Sequence, residues 1–131
     1  KLSKLFLKMK YIYAQDLQEK AEDFCRVLLP HVKIHRIKCF RSYGTSTKRT
    51  IARCHALGKI MQKALGVDAF YVLEFLAERF DKMKQQDKEK VILHELMHIP
   101  KTFGGGFKHH DWVTDKNIDK LYKEYENQKR F

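Results

Sequence analysis

The chain is short of cysteine, proline, acidic residues and long apolar runs, and each shortage removes a class of protein. Cys25, Cys39 and Cys54 are an odd number with no C-x-x-C spacing, which excludes a disulfide framework and a four-cysteine zinc knot. A reducing, cytoplasmic setting is therefore expected. Two prolines in 131 residues leave no Pro-rich linker, and no repeat or low-complexity tract is present. No apolar run approaches the roughly 18 residues that a membrane span needs. The basic opening KLSKLFLKMK has neither the long apolar middle nor the small-residue cleavage site of a signal peptide, so no membrane association is expected. Acids number 16 against 27 Lys and Arg, a formal charge of +11. The basic residues are spread along the chain and interleaved with acids, as on a solvated surface. They imply a weak, sequence-independent attraction for nucleic acid and no dedicated reading face.

What is plentiful is core material. Apolar residues make up 44% of the chain, with nine Phe and six Tyr, enough for one domain to bury a core without staples. Leu17, Ala21, Phe24 and Leu28 fall at helical spacing before Pro30, which predicts a first helix. VKIHRIKCFRSY and RTIARCHAL are rich in β-branched and aromatic residues with a Gly44–Thr45–Ser46 turn signal between them, and predict an antiparallel pair. Cys39 and Cys54 then lie on neighbouring strands. KIMQKAL, between Gly58 and Gly66, reads as a short helix or an irregular connection. AFYVLEFLAERF begins as a strand and ends as helix. A helix from about Gln86 to Ile99, capped by the polar Asp81–Gln86 stretch, stops at Pro100. KTFGGGFK is a loop, read as a mobile flap, and DKNIDKLYKEY is a closing amphipathic helix. The sum is one compact α+β domain over residues 1–131, a small sheet containing an antiparallel pair beside a histidine-bearing helix.

That helix carries the chemistry. In VILHELMHIP, His94 and His98 stand four apart and leave one face about a turn from each other, the spacing at which two imidazoles share a Zn2+ ion. Glu95 lies one step round the helix, where a carboxylate reaches a metal-held water without ligating, as a general base must. Composition alone gives about 0.02 occurrences of H-E-x-x-H in this chain, so the pattern marks a site. A third ligand is needed, and His109 and His110 follow a loop long enough to fold back over the metal. His110 is the favoured ligand, because it abuts Asp111 at the start of the last helix. His109 is then free to steady the oxyanion of a tetrahedral intermediate. Asp111 could orient a ligand's free N–H or cap the helix. His31, His35 and His55 read as surface or hydrogen-bonded histidines.

HELMH, a glycine-rich loop and HHDW leading into a helix resemble the SprT-like and WLM-type zinc metallopeptidases, and most closely a group of small metallopeptidases of archaea and phages. The resemblance covers roughly residues 71–125. It implies a strand before the helix, here YVLEF, and zinc-dependent peptide hydrolysis on a minigluzincin core. Metzincins are excluded, since Lys101 stands where their Gly falls and Gly104 where their third His falls. Glu124 and Glu126 lie in range of a thermolysin-like glutamate ligand, but within a segment that reads as solvated.

The expected function is thus a zinc metalloendopeptidase. His94, His98 and His110 hold the metal, Glu95 is the base, and a polypeptide substrate lies extended along the edge of AFYVLEF. Two other readings share these residues: a non-catalytic zinc-binding interaction module, and a DNA-associated protease of SprT type. Oligomeric state is left open by the sequence.

Overall fold

The computed structural model describes residues 9–129; most of the basic opening, residues 1–8, lies outside them. The described chain forms one four-stranded mixed sheet with helices against one face. Strand β1 (Lys10–Tyr13) leads into α1 (Gln15–Leu28), and a 3-10 turn (Ile34–Arg36) delivers β2 (Ile37–Tyr43). Then follow β3 (Ala52–Ala56), α2 (Lys59–Leu65), β4 (Tyr71–Leu76), α3 (Ala77–Phe80), α4 (Gln85–Met97) and α5 (Asp115–Lys129).

The sheet order is β1-β2-β4-β3, which corrects the expected pairing. β2 and β3 do not touch as a hairpin. β4 runs between them, parallel to β2 and antiparallel to β3, so Cys39 and Cys54 both sit opposite Leu73 rather than beside each other. The cause lies in the side chains. YVLEFL is buried at five of six positions, and a strand buried on both faces belongs in the middle of a sheet. β3 carries Arg53 and His55 and tolerates an edge. The edge proposed for substrate is therefore not on β4, whose two sides are both paired; among the described residues β3, like β1, is an edge strand with one side unpaired.

Tyr71, Leu73 and Phe75 alternate onto the helical face and meet Phe24, Phe80, Ile92, Leu93 and Leu96, all fully buried. α1 crosses this face with Leu17, Ala21 and Phe24 inward, as its periodicity predicts. Gln18 is buried with them. Its Nε2 donates to the Ile37 carbonyl at 3.1 Å, and its Oε1 accepts from the Cys39 amide at 2.7 Å. It thus satisfies the stretch of β2 that the short β1 does not reach. The residue that precedes α4, Lys84, lies within the polar stretch 81–86 expected to cap it but makes no side-chain cap, and Asp81 accepts from Arg41 at 3.1 Å. α4 lies between α1, α5 and β3, so its C-terminal end faces the free edge of the sheet.

Candidate metal centre

Two faces of α4 divide the work. Ile92, Leu93 and Leu96 are buried in the core, which fixes the helix's rotation and turns His94, Glu95 and His98 toward β3 and the following loop. His98 is the residue at which the helix ends. Its Nδ1 lies 2.7 Å from the Lys108 carbonyl, and its own carbonyl accepts from the Lys108 amide at 2.7 Å. The loop is thereby stapled to the helix end. An Nδ1–H donated to a carbonyl leaves Nε2 with its lone pair free.

The glycine-rich loop is not a free flap. Phe103 is buried at φ +46° and packs edge-on against Tyr71, ring centroids 5.0 Å apart. The Tyr71 hydroxyl accepts from the Gly105 amide at 3.0 Å and donates to the Gly106 carbonyl at 2.7 Å. Gln62 donates to the Gly104 carbonyl at 3.0 Å. Gly105, at φ +102°, has no room for a side chain: a Cβ would stand 2.6 Å from the Leu57 carbonyl oxygen. Gly105→Ala is expected to destabilise the fold by about 2 kcal/mol or more through this clash and the left-handed backbone. It should also weaken metal binding at the centre the loop completes. Urea unfolding and a metal titration of the variant measure the two effects, and a variant as stable as the parent would refute the first.

Beyond Lys108 the chain makes one turn, with the amides of Trp112 and Val113 both bonded to the His109 carbonyl. Val113 is buried and Thr114 caps α5 by accepting from the Asn117 amide at 3.2 Å. His110 is carried between these anchors. Asp111, expected to orient a ligand or cap the helix, is exposed, and those two roles fall to the Lys108 carbonyl and to Thr114. Glu124 and Glu126 are exposed on α5.

His94, His98 and His110 each offer a ring nitrogen, all within 4.8 Å of one another. The rings pack at centroid separations of 5.0, 5.5 and 4.8 Å. Of the adjacent pair that the sequence leaves open, His110 enters this cluster. His109 lines a cavity of ≈ 260 Å3 with Glu95, His98, His110, Cys54 and Phe107. Burial lowers the His94 pKa to about 4, helped by the neighbouring His98 and His110 and opposed by Asp115. Burial also lowers that of His98, against the Lys108 hydrogen bond. Both rings are therefore neutral at pH 7 and have lone pairs to give. Glu95 is buried to 7% exposure with Oε2 3.9 Å from His94 Nε2. Desolvation raises its pKa to about 7.

Glu95 also borders a second cavity of ≈ 390 Å3, walled by Ile51, Met83, Val91 and Ile118 with Asp87 and Asp115 at its sides. The two cavities meet at Glu95 and follow β3, Ala52 lining one and Cys54 the other. Sequence reasoning missed β1, the Lys108 carbonyl and the part played by β3. A backbone acceptor leaves no mark in a sequence, and β3 was assigned to the wrong neighbour. The other histidines behave as expected. His31 lies 3.0 Å from the Ile99 carbonyl, His55 pairs with Glu74 at 2.8 Å, and His35 is exposed.

A helix end and a stapled loop that gather three imidazoles beside a buried carboxylate define an α+β domain with a centre capable of coordinating a metal ion. Residues 9–129 match the family described as "Putative phage metallopeptidase", and the chain belongs to that family. No match was found among curated proteins or solved structures.

Proposed function

We propose that this protein is a zinc-dependent endopeptidase with a core of the SprT-like, minigluzincin type. The observation that carries the reading is Glu95, a buried carboxylate beside the histidine cluster that the cluster itself does not use. A structural metal site has no need of one. The donor set fits zinc: three imidazole nitrogens, two of them on rings that burial keeps neutral and one of those fixed in orientation by a backbone carbonyl. His94, His98 and His110 would hold the ion, which when bound supplies Lewis acidity to a peptide carbonyl and makes water easier to deprotonate.

The remaining steps belong to the chain. Glu95, its carboxylate poorly solvated and correspondingly basic, accepts the proton of the attacking water and returns it to the leaving amine. His109, in the wall of the same cavity, donates toward the oxygen on which charge develops. The free side of β3 offers main-chain donors and acceptors to an extended substrate, whose scissile bond then crosses Glu95 between the two cavities. Among the described residues no helix is long and apolar enough to cross a membrane, and the proposed substrate is a polypeptide.

The test is metal-dependent cleavage of an unfolded protein. Casein should be cut by protein loaded with one zinc per chain, spared after chelation, and cut again when zinc is restored. Cleavage that survives complete removal of metal would refute the reading.

A further inference from the structure

Helix α2 is amphipathic with its apolar side turned outward. Ile60 is 81% exposed, Met61 49%, Leu65 59%, and Val67 just beyond the helix 43%. The inward anchor is polar, Gln62 donating to the carbonyls of Leu57 and Gly104 at 2.7 and 3.0 Å. No residue of the helix is buried. Single exposed apolar residues are ordinary, but several gathered on one turn-and-a-half of helix are not.

The location gives the patch a meaning. α2 follows β3 after only Leu57 and Gly58, and Gly105 presses against those two residues. Phe107, two positions along the loop, is 44% exposed and lines the cavity shared by Glu95, His98 and His110. Exposed apolar side chains therefore lie on both sides of the contact between Gly105 and Leu57, Phe107 at the candidate metal centre and Ile60, Met61 and Leu65 on α2. A peptide extended along β3 and continuing past Ala56 would arrive at α2 within two or three residues, at about 3.3 Å each.

We propose that α2, with Val67 and Phe107, is a docking site for an apolar segment of an unfolded polypeptide, outside the cleft in which the chain is cut. The inference rests on the peptidase reading above. The area favours this occupant over a second copy of the chain: three partly exposed side chains on a seven-residue helix, with Val67 and Phe107, fall short of the ~800 Å2 per partner typical of a stable interface. Lys59 and Lys63, on the same helix and exposed, would favour segments flanked by acidic residues. A folded globule withholds its apolar segments, so the site selects non-native chains.

The experiment uses the triple variant Ile60→Gln, Met61→Gln, Leu65→Gln, whose positions are exposed and whose thermal midpoint should match the parent's. Fluorescent casein is titrated against protein carrying Glu95→Gln, with and without the triple change, so that affinity is read without turnover. Cleavage of casein and of an octapeptide is followed in the Glu95 protein. Casein should bind about tenfold more weakly to the triple variant and its KM rise by the same factor, since three apolar contacts are lost and most of their burial only offsets the ordering of the bound segment. Turnover of the octapeptide and kcat on casein should not change. Equal casein affinity, an equal loss on the octapeptide, or a parental dimer that the triple change converts to monomer would each overturn the proposal. Failure of the two readings is distinguishable. α2-dependent binding without any cleavage refutes the peptidase and leaves the docking site, whereas cleavage indifferent to the triple change does the reverse.

Discussion

Glu95→Gln is expected to lower cleavage of casein by about 10²–10⁴-fold while leaving zinc content at the parental level. The substitution keeps the side chain's size and removes its basicity, and Glu95 is placed beside the cluster rather than in it. The same variant has a second consequence in metal-free protein. Burial raises the Glu95 pKa to about 7, so between the ordinary carboxylate range and pH 7 the folded chain holds a proton that the unfolded chain has released. Stability then falls as pH rises through that window, by as much as about 3 kcal/mol. Above it the folded state bears a buried charge. Gln bears none, so metal-free Glu95→Gln should melt roughly 10 °C above the parent at pH 8 and alongside it at pH 4. His94, whose lowered pKa acts in the opposite direction, is present in both proteins and cancels from the difference. Coincident melting curves at pH 8 would show that Glu95 is not desolvated, and undiminished cleavage would remove it from the mechanism.

Replacing the histidines one at a time should separate three ligands from one neighbour. His94→Ala, His98→Ala and His110→Ala are each expected to weaken zinc binding by more than about a hundredfold, since loss of a mere orienting partner already costs 10–100-fold. His109→Ala should bind zinc as the parent does and cleave more slowly. Zinc at a hundred times its dissociation constant stabilises a folded protein by about 2.7 kcal/mol. The parent and His109→Ala should therefore show a zinc-dependent rise in melting temperature that the other three lack. The assay is independent of catalysis. A rise retained by His110→Ala and lost by His109→Ala would reverse the assignment made here from the 4.8 Å cluster.

Much of this centre is legible in the sequence. The i, i+4 spacing of His94 and His98 is a local property, and a helix converts it into a shared face whatever the rest of the chain does. The apolar line of Ile92 and Leu96 and the stop at Pro100 set where that face ends. β2 and β3 are neighbours in sequence but not in the sheet, because β4 inserts between them. YVLEFL, with apolar residues at five of its six positions, already contained the contrary signal. β1 was missed because KYIY is four residues long and exposed throughout, with no periodicity to reveal it.

The sequence by itself determined the α4 helix and the two histidines and the carboxylate on it, because each depends on spacing along a single segment. Only the tertiary structure decided that His110 and not His109 completes the cluster. Adjacent residues in a turn point in different directions, and theirs are set by Lys108 clamped to His98 and Val113 buried in the core. The tertiary structure also decided which strand borders the cleft. β4 must bury both faces and so takes the centre of the sheet, leaving β3 with a free side along the metal centre. Position in a sheet is settled by competition among all the strands for burial, and no one segment records the outcome.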